Sequence, residues 1–222
     1  LFSRLSLRPL AALALFTGLF ASAQAAPVPP APTLENKAFV VMDFDSGRIL
    51  AESNADTALP LAHGETMMKP VLEGRTLQSL LPQSQESVLE IGTGSGYLTA
   101  CLAHLSREVV SLERHPDLAD AARARLSAQG IANAEVITAD ALAWTTDRSF
   151  DAICVTGAVD RIPARFTDWL KPGVRLFVVR GRSPAMEAVL VHRDVNGLRT
   201  ESLFETDLPY LAGAAPAPAF AL

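Results

Sequence analysis

The chain has 222 residues, 49% hydrophobic and 19% charged, enough for one domain of moderate size with a full core. Its formal net charge of −5 and pI of about 5.4 leave no electrostatic footprint for nucleic acid. Cys101 and Cys154 belong to no CxxC or ligand cluster and read as small apolar core residues. His63, His104, His115 and His192 are scattered without ligand spacing, so no metal is expected.

In chain order, Leu1 to Ala25 carries Arg4 and Arg8, an apolar stretch from Leu10 to Ala21, and then Ala23-Gln24-Ala25. That is the positive start, apolar middle and small-residue cleavage site of an export signal, which predicts transfer to the periplasm. The apolar run is too short to span a membrane, and it passes into a Pro/Ala-rich linker, Ala26 to Pro32. From Lys37 to Glu52 two short apolar runs flank Asp45-Ser46-Gly47 and predict a β-hairpin. The segment to about Leu50 resembles the signal peptide and mature start of D-alanyl-D-alanine carboxypeptidases. The serine chemistry of those enzymes is missing: Lys37, Lys69 and Lys171 have no Ser three residues upstream, and Thr66-Met67-Met68-Lys69 is the nearest imitation.

The stretch Val88-Leu89-Glu90-Ile91-Gly92-Thr93-Gly94-Ser95-Gly96-Tyr97 reads as a buried strand ending in an acid, a tight glycine turn and the start of a helix. A dinucleotide fingerprint would be GxGxxG; here the third glycine comes one residue early. No Lys or Arg lies between Glu90 and Arg107, and the Gly-Lys-Ser/Thr ending of a phosphate loop is absent. A carboxylate beside a loop without cations suits a ligand bearing positive charge and hydroxyls. S-adenosylmethionine, with its sulfonium and ammonium groups, is such a ligand.

A second apolar run, Val109 to Leu112, ends in Glu113, about 20 residues beyond the first glycine, where this architecture places a ribose-binding acid. A third, Ala134 to Thr138, leads to Asp140, near the expected adenine. Each acid has the alternative role of capping the helix that follows. The expected cofactor residues are Glu90, Gly92, Thr93, Gly94, Gly96, Glu113, Asp140 and Ala141.

With these motifs in view, residues from about Asp56 to Leu222 resemble the protein-L-isoaspartate O-methyltransferases of bacterial type. The resemblance is carried by Leu59 to Thr66, Val88 to Tyr97, Phe150 to Gly157, Leu170-Lys171-Pro172-Gly173 and Arg175-Leu176-Phe177. It implies methyl transfer from S-adenosylmethionine to an isoaspartyl carboxylate of a peptide or protein substrate, in damaged-protein repair, by a cytoplasmic and monomeric enzyme. The family pattern Gly-Gln-Thr-Ile-Ser-Gln-Pro corresponds to Gly64-Glu65-Thr66-Met67-Met68-Lys69-Pro70, which points to Thr66 and the Met68 position as the acceptor site. Met68 stands where the family has Ser, and a thioether donates no hydrogen bond. The alternative for Thr66, Met67 and Met68 is a helix-start or core role. His63 reads as loop packing rather than a general base. A cofactor-binding relative with another acceptor or no catalysis is the runner-up, and a non-catalytic exported protein is third.

Strands are expected near 87–91, 109–112, 135–138, 152–155, 175–179, 188–192 and 200–204, and helices over 98–105, 116–128 and 163–170. The alternation, closed by two strands joined at Asn196-Gly197, predicts an α/β fold. It would be a Rossmann-like class I methyltransferase with a mostly parallel seven-stranded sheet and an antiparallel edge hairpin. The expected parts are a signal-like segment at 1–25, a linker and hairpin head at 26–58, and a cofactor-binding domain at 59–222.

Overall fold

The computed structural model describes residues 37–43 and 46–217, so the signal-like segment, the linker and Asp45 of the hairpin turn lie outside the described residues. The hairpin forms: β1 (Phe39–Met42) pairs antiparallel with β2 (Ile49–Ser53). After a 3-10 turn at Ala62–Gly64 comes α1 (Pro70–Leu80), a helix not foreseen from sequence. Pro70 at its first position and Leu72, Thr76 and Leu80, buried at four-residue spacing, were its signal. Gly74 and the buried acid Glu73 on its inner side masked it.

The large sheet has the order β5-β4-β3-β6-β7-β8-β9, from β3 (Ser87–Ile91), β4 (Glu108–Glu113), β5 (Ala134–Thr138), β6 (Phe150–Val159), β7 (Leu170–Arg182), β8 (Ala185–Asp194) and β9 (Gly197–Thr206). β3 to β7 run parallel, and β8 and β9 close the edge antiparallel. This is the predicted arrangement, with longer strands than the apolar runs marked. α2 (Tyr97–Leu105) and α3 (Pro116–Ala128) fall where expected, whereas α4 (Ala164–Asp168) stops early. Leu170, assigned to that helix from sequence, instead opens β7 beside Phe150.

The central strands bury both faces, as parallel strands between helical layers must. One apolar layer joins Leu72 and Leu80 of α1 and Leu102 of α2 to Val88 and Phe177. The other sets Leu89, Ile153 and Leu176 against Phe166 and Trp169. Arg175 ties α1 to the sheet: it donates to the Leu80 and Leu81 carbonyls and forms a two-pronged ion pair with Glu86 at 2.9 Å, satisfying carbonyls the helix end leaves open.

β3 has β4 on one side and β6 on the other, so the strand order reverses at its carboxyl end. Ligands of open α/β sheets bind at such a switch point. Among the described residues no helix is long and apolar enough to cross a membrane.

Candidate active site

A cleft opens at that point, and every expected site residue but Gly96 lines it: Thr66, Met68, Glu90, Gly92, Thr93, Gly94, Glu113, Asp140 and Ala141. The glycines have distinct reasons. Gly92 has φ +99°, and a Cβ there would lie 2.2 Å from the Thr156 hydroxyl oxygen. Gly96 (φ +82°) is the N-cap of α2 and abuts Ala122 of α3, so it serves packing.

Glu90 is fully buried at the end of β3. Its Oε2 accepts hydrogen bonds of 2.5 Å from Thr99 and Ser111. Thr93 meets Ser111 at 2.5 Å, so its hydroxyl is used inside this chain of contacts. Glu90 Oε1 has no partner among the described residues. Burial pushes the carboxyl up to about 7, against the lowering effect of Ser111 and Thr99 and with a further push from Glu113. Ser111 and Thr99 escaped the sequence reading, although a serine inside the apolar run Val109 to Leu112 was a signal.

Glu113 closes β4. Its Oε2 accepts from the Gly94 amide at 2.8 Å and its Oε1 from the His115 amide at 2.9 Å. Each oxygen keeps a lone pair for a ligand hydroxyl. Asp140, exposed beyond β5, accepts from the Leu142 amide at 2.9 Å within a turn, and no helix follows for it to cap. Ala141 is buried beside it.

The segment from Leu61 to Met68, read from sequence as the acceptor side, forms one wall of the cleft. Thr66 bridges to Pro60 and is exposed, whereas Met68 is buried. Two histidines that looked scattered in sequence meet here. His63 (φ 61°) stacks on His115 with ring centroids 4.2 Å apart. Asp117 lies 2.8 Å from His63 Nε2, and Glu65 lies 3.7 Å from His115 Nε2. Among the described residues no group of three or more His, Cys, Asp or Glu is placed to hold a metal. Leu208 to Ala212 roof the cleft, held to the end of β6 by hydrogen bonds between Ala158 and both Pro209 and Leu211. This roof also escaped the sequence reading.

The donor set fits S-adenosylmethionine: an unpartnered buried carboxylate oxygen for the ammonium, a glycine turn that no Cβ could replace at Gly92, and Glu113 for ribose hydroxyls. The cleft is narrow, about 120 Å³, below the roughly 300–1,000 Å³ usual for small-ligand sites.

Residues 35–205 match the family model for protein-L-isoaspartate(D-aspartate) O-methyltransferase, a match that begins upstream of the boundary read from sequence and includes the hairpin. A protein-L-isoaspartate O-methyltransferase of Myxococcus xanthus is 41% identical over 140 residues, covering 63% of this chain and 66% of that protein. One of Rhodopseudomonas palustris is 39% identical over 168 residues, covering 73% of this chain and 78% of that protein. The fold is shared with a Plasmodium falciparum chain described as a protein-L-isoaspartate O-methyltransferase and solved with S-adenosyl-L-homocysteine. The TM-score is 0.62 at 23% identity, over 70% of this chain and 80% of that one. With a family match running through most of its length, the chain belongs to the protein-L-isoaspartate(D-aspartate) O-methyltransferase family.

Proposed function

We propose that the chain is an S-adenosylmethionine-dependent protein-carboxyl O-methyltransferase acting on isoaspartyl residues of damaged peptides and proteins. The observation that carries the reading is Glu90: a buried carboxyl with one unpartnered oxygen, set beside the glycine turn of a family member. Glu90 would hold the ligand ammonium, Glu113 would accept from the ribose hydroxyls, Asp140 and Ala141 would serve the adenine, and the Gly92–Gly96 turn would let the ligand approach the backbone.

When bound, S-adenosylmethionine supplies an electrophilic methyl on a sulfonium. The chain's own contribution is placement. Thr66 offers a hydroxyl at the mouth, the Leu208–Ala212 roof excludes water, and Met67 and Met68 keep the reacting end dry. No general base is needed, because an acceptor carboxylate is already ionised near neutral pH.

Met68 in place of the family Ser favours a second reading, a relative with the same cofactor and a different acceptor. Calorimetry with S-adenosylmethionine and methyl transfer to an isoaspartyl peptide against its aspartyl twin decide the matter. No binding at millimolar ligand sinks both readings, and binding without isoaspartyl transfer leaves the second.

The cofactor-binding domain is residues 59–222, with 26–58 as its head, and the protein acts as a monomer that does not bind nucleic acid. Its site of action is the cytoplasm, where the methyl donor is made, and N-terminal sequencing of protein from its host tests this against the export signal read at 1–25.

A further inference from the structure

Beside Glu90 and Glu113 the cleft holds a third buried carboxyl, to which the cofactor reading gives no role. Glu73 sits in the first turn of α1 and is 7% exposed. It lines the cleft together with Thr66, Met67, Met68 and Glu90. With Met67 and Met68 it also lines an adjoining cavity of about 530 Å³ between the β1–β2 hairpin, α1 and α2. Its carboxyl therefore stands where the two spaces meet, beside the residue that replaces the family hydroxyl. Among the described residues no hydrogen bond reaches that carboxyl.

The groups around Glu73 decide its charge. Glu90 faces it from β3, Tyr97 and Cys101 from α2, and Cys154 from β6. Glu113, Arg114, His115 and Asp140 line the same cleft, while Lys37 and Asp43 line the adjoining cavity. Lys69 and Arg75 flank it on its own helix. No ion pair joins Glu73 to a cation among the described residues, and two buried carboxyls facing one dry cleft cannot both ionise freely. Burial, then the charge of Glu90, pushes Glu73 up to about 8, above Glu90 at about 7. Near neutral pH Glu73 keeps its proton, and a protonated carboxyl donates a hydrogen bond. Carboxyls held neutral by an apolar site serve as donors in other active sites.

We propose that Glu73 is a substrate-binding residue whose carboxyl donates a hydrogen bond to the acceptor carboxylate, taking the place of the hydroxyl missing at Met68. The inference rests on the isoaspartyl reading above. It ties the selectivity of the pocket for an anionic acceptor to the proton on one side chain.

The test uses the full chain with S-adenosylmethionine and an isoaspartyl peptide between pH 6 and 9, comparing wild type, Glu73→Gln and Glu73→Leu. Wild-type kcat/KM falls about 10-fold from pH 7.5 to 9 as the donor proton is lost. Glu73→Gln keeps a neutral donor and gives a flat profile at high pH. Glu73→Leu raises KM for the peptide by about 10-fold or more, and calorimetry shows unchanged S-adenosylmethionine affinity, which certifies the fold. The same alkaline fall in Glu73→Gln as in wild type overturns the proposal, as does an unchanged peptide KM in Glu73→Leu. A rate that rises with pH and collapses in Glu73→Gln overturns it in favour of a cationic acceptor. Wild-type protein that binds cofactor yet methylates no isoaspartyl peptide at any pH overturns the function above and this proposal with it.

Discussion

The imidazole rings of His63 and His115 lie face to face, centroids 4.2 Å apart and 4° from parallel. One belongs to the 3-10 turn within the Leu61–Met68 wall and the other follows Glu113 at the end of β4. The contact latches these two walls of the cleft together. Asp117 and Glu65 hold the outer edges of the pair. A stack of this kind contributes about 0.5–1.5 kcal/mol beyond buried area. His115→Ala is expected to speed amide exchange over residues 61–66 and to lower kcat/KM by about 2- to 10-fold. Hydrogen exchange and initial rates check both, and unchanged exchange removes the latch.

Glu90 links cofactor affinity to pH. Its carboxyl, raised to about 7 mainly by burial, is neutral in acid and charged above neutrality. Only the charged form attracts an ammonium, so S-adenosylmethionine should bind more tightly as pH rises from 6 to 8. Glu90→Gln should remove that dependence and weaken binding about 10-fold or more at pH 8. Calorimetry at several pH values reads it directly.

The two raised acids have an opposite consequence for stability. An unfolded Glu titrates near 4.5, whereas folded Glu90 and Glu73 hold protons to about 7 and 8. Between those limits the native state binds more protons than the unfolded one, so unfolding free energy falls as pH rises. Each group should lower it by up to about 1.4 kcal/mol per pH unit in that window. Thermal melts should therefore give a higher Tm at pH 5 than at pH 8, with the difference reduced in Glu73→Gln.

Gly92→Ala is expected to abolish cofactor binding and to destabilise the fold. The added methyl meets Thr156 at 2.2 Å, and the residue sits at φ +99°. Strain and displacement together cost on the order of 2 kcal/mol or more. Thr156→Ala in the same chain should restore part of the stability but not the backbone conformation.

Met68→Ser restores the family hydroxyl. It should raise isoaspartyl methylation, and it should cost about 2–4 kcal/mol because Met68 is buried. Activity measured well below the lowered Tm separates the two effects, and an unchanged rate counts against the acceptor assignment.

Much of the sheet was readable because parallel strands buried on both faces leave continuous apolar runs, as Val88-Leu89 and Val109-Val110 do. The carboxylates at their ends were readable because chain spacing alone puts Glu90 and Glu113 on one edge. What stayed hidden depends on distant segments meeting. α1 carries Gly74 and a buried acid on its inner side, so its period is blurred. The His63–His115 stack and the Leu208–Ala212 roof join residues far apart in sequence. Glu73 drew no reading from sequence, and only the folded chain sets it against Glu90.

β1 runs close over α1 at Gly74, where a Cβ would lie 3.2 Å from Met42 and 3.5 Å from Val40. The hairpin is therefore a wall of the cavity that adjoins Met67, Met68 and Glu73, although it contributes nothing to the glycine turn or to the acids beyond it. A change in the hairpin would therefore be felt first at Met67, Met68 and Glu73, and only through them at the glycine turn.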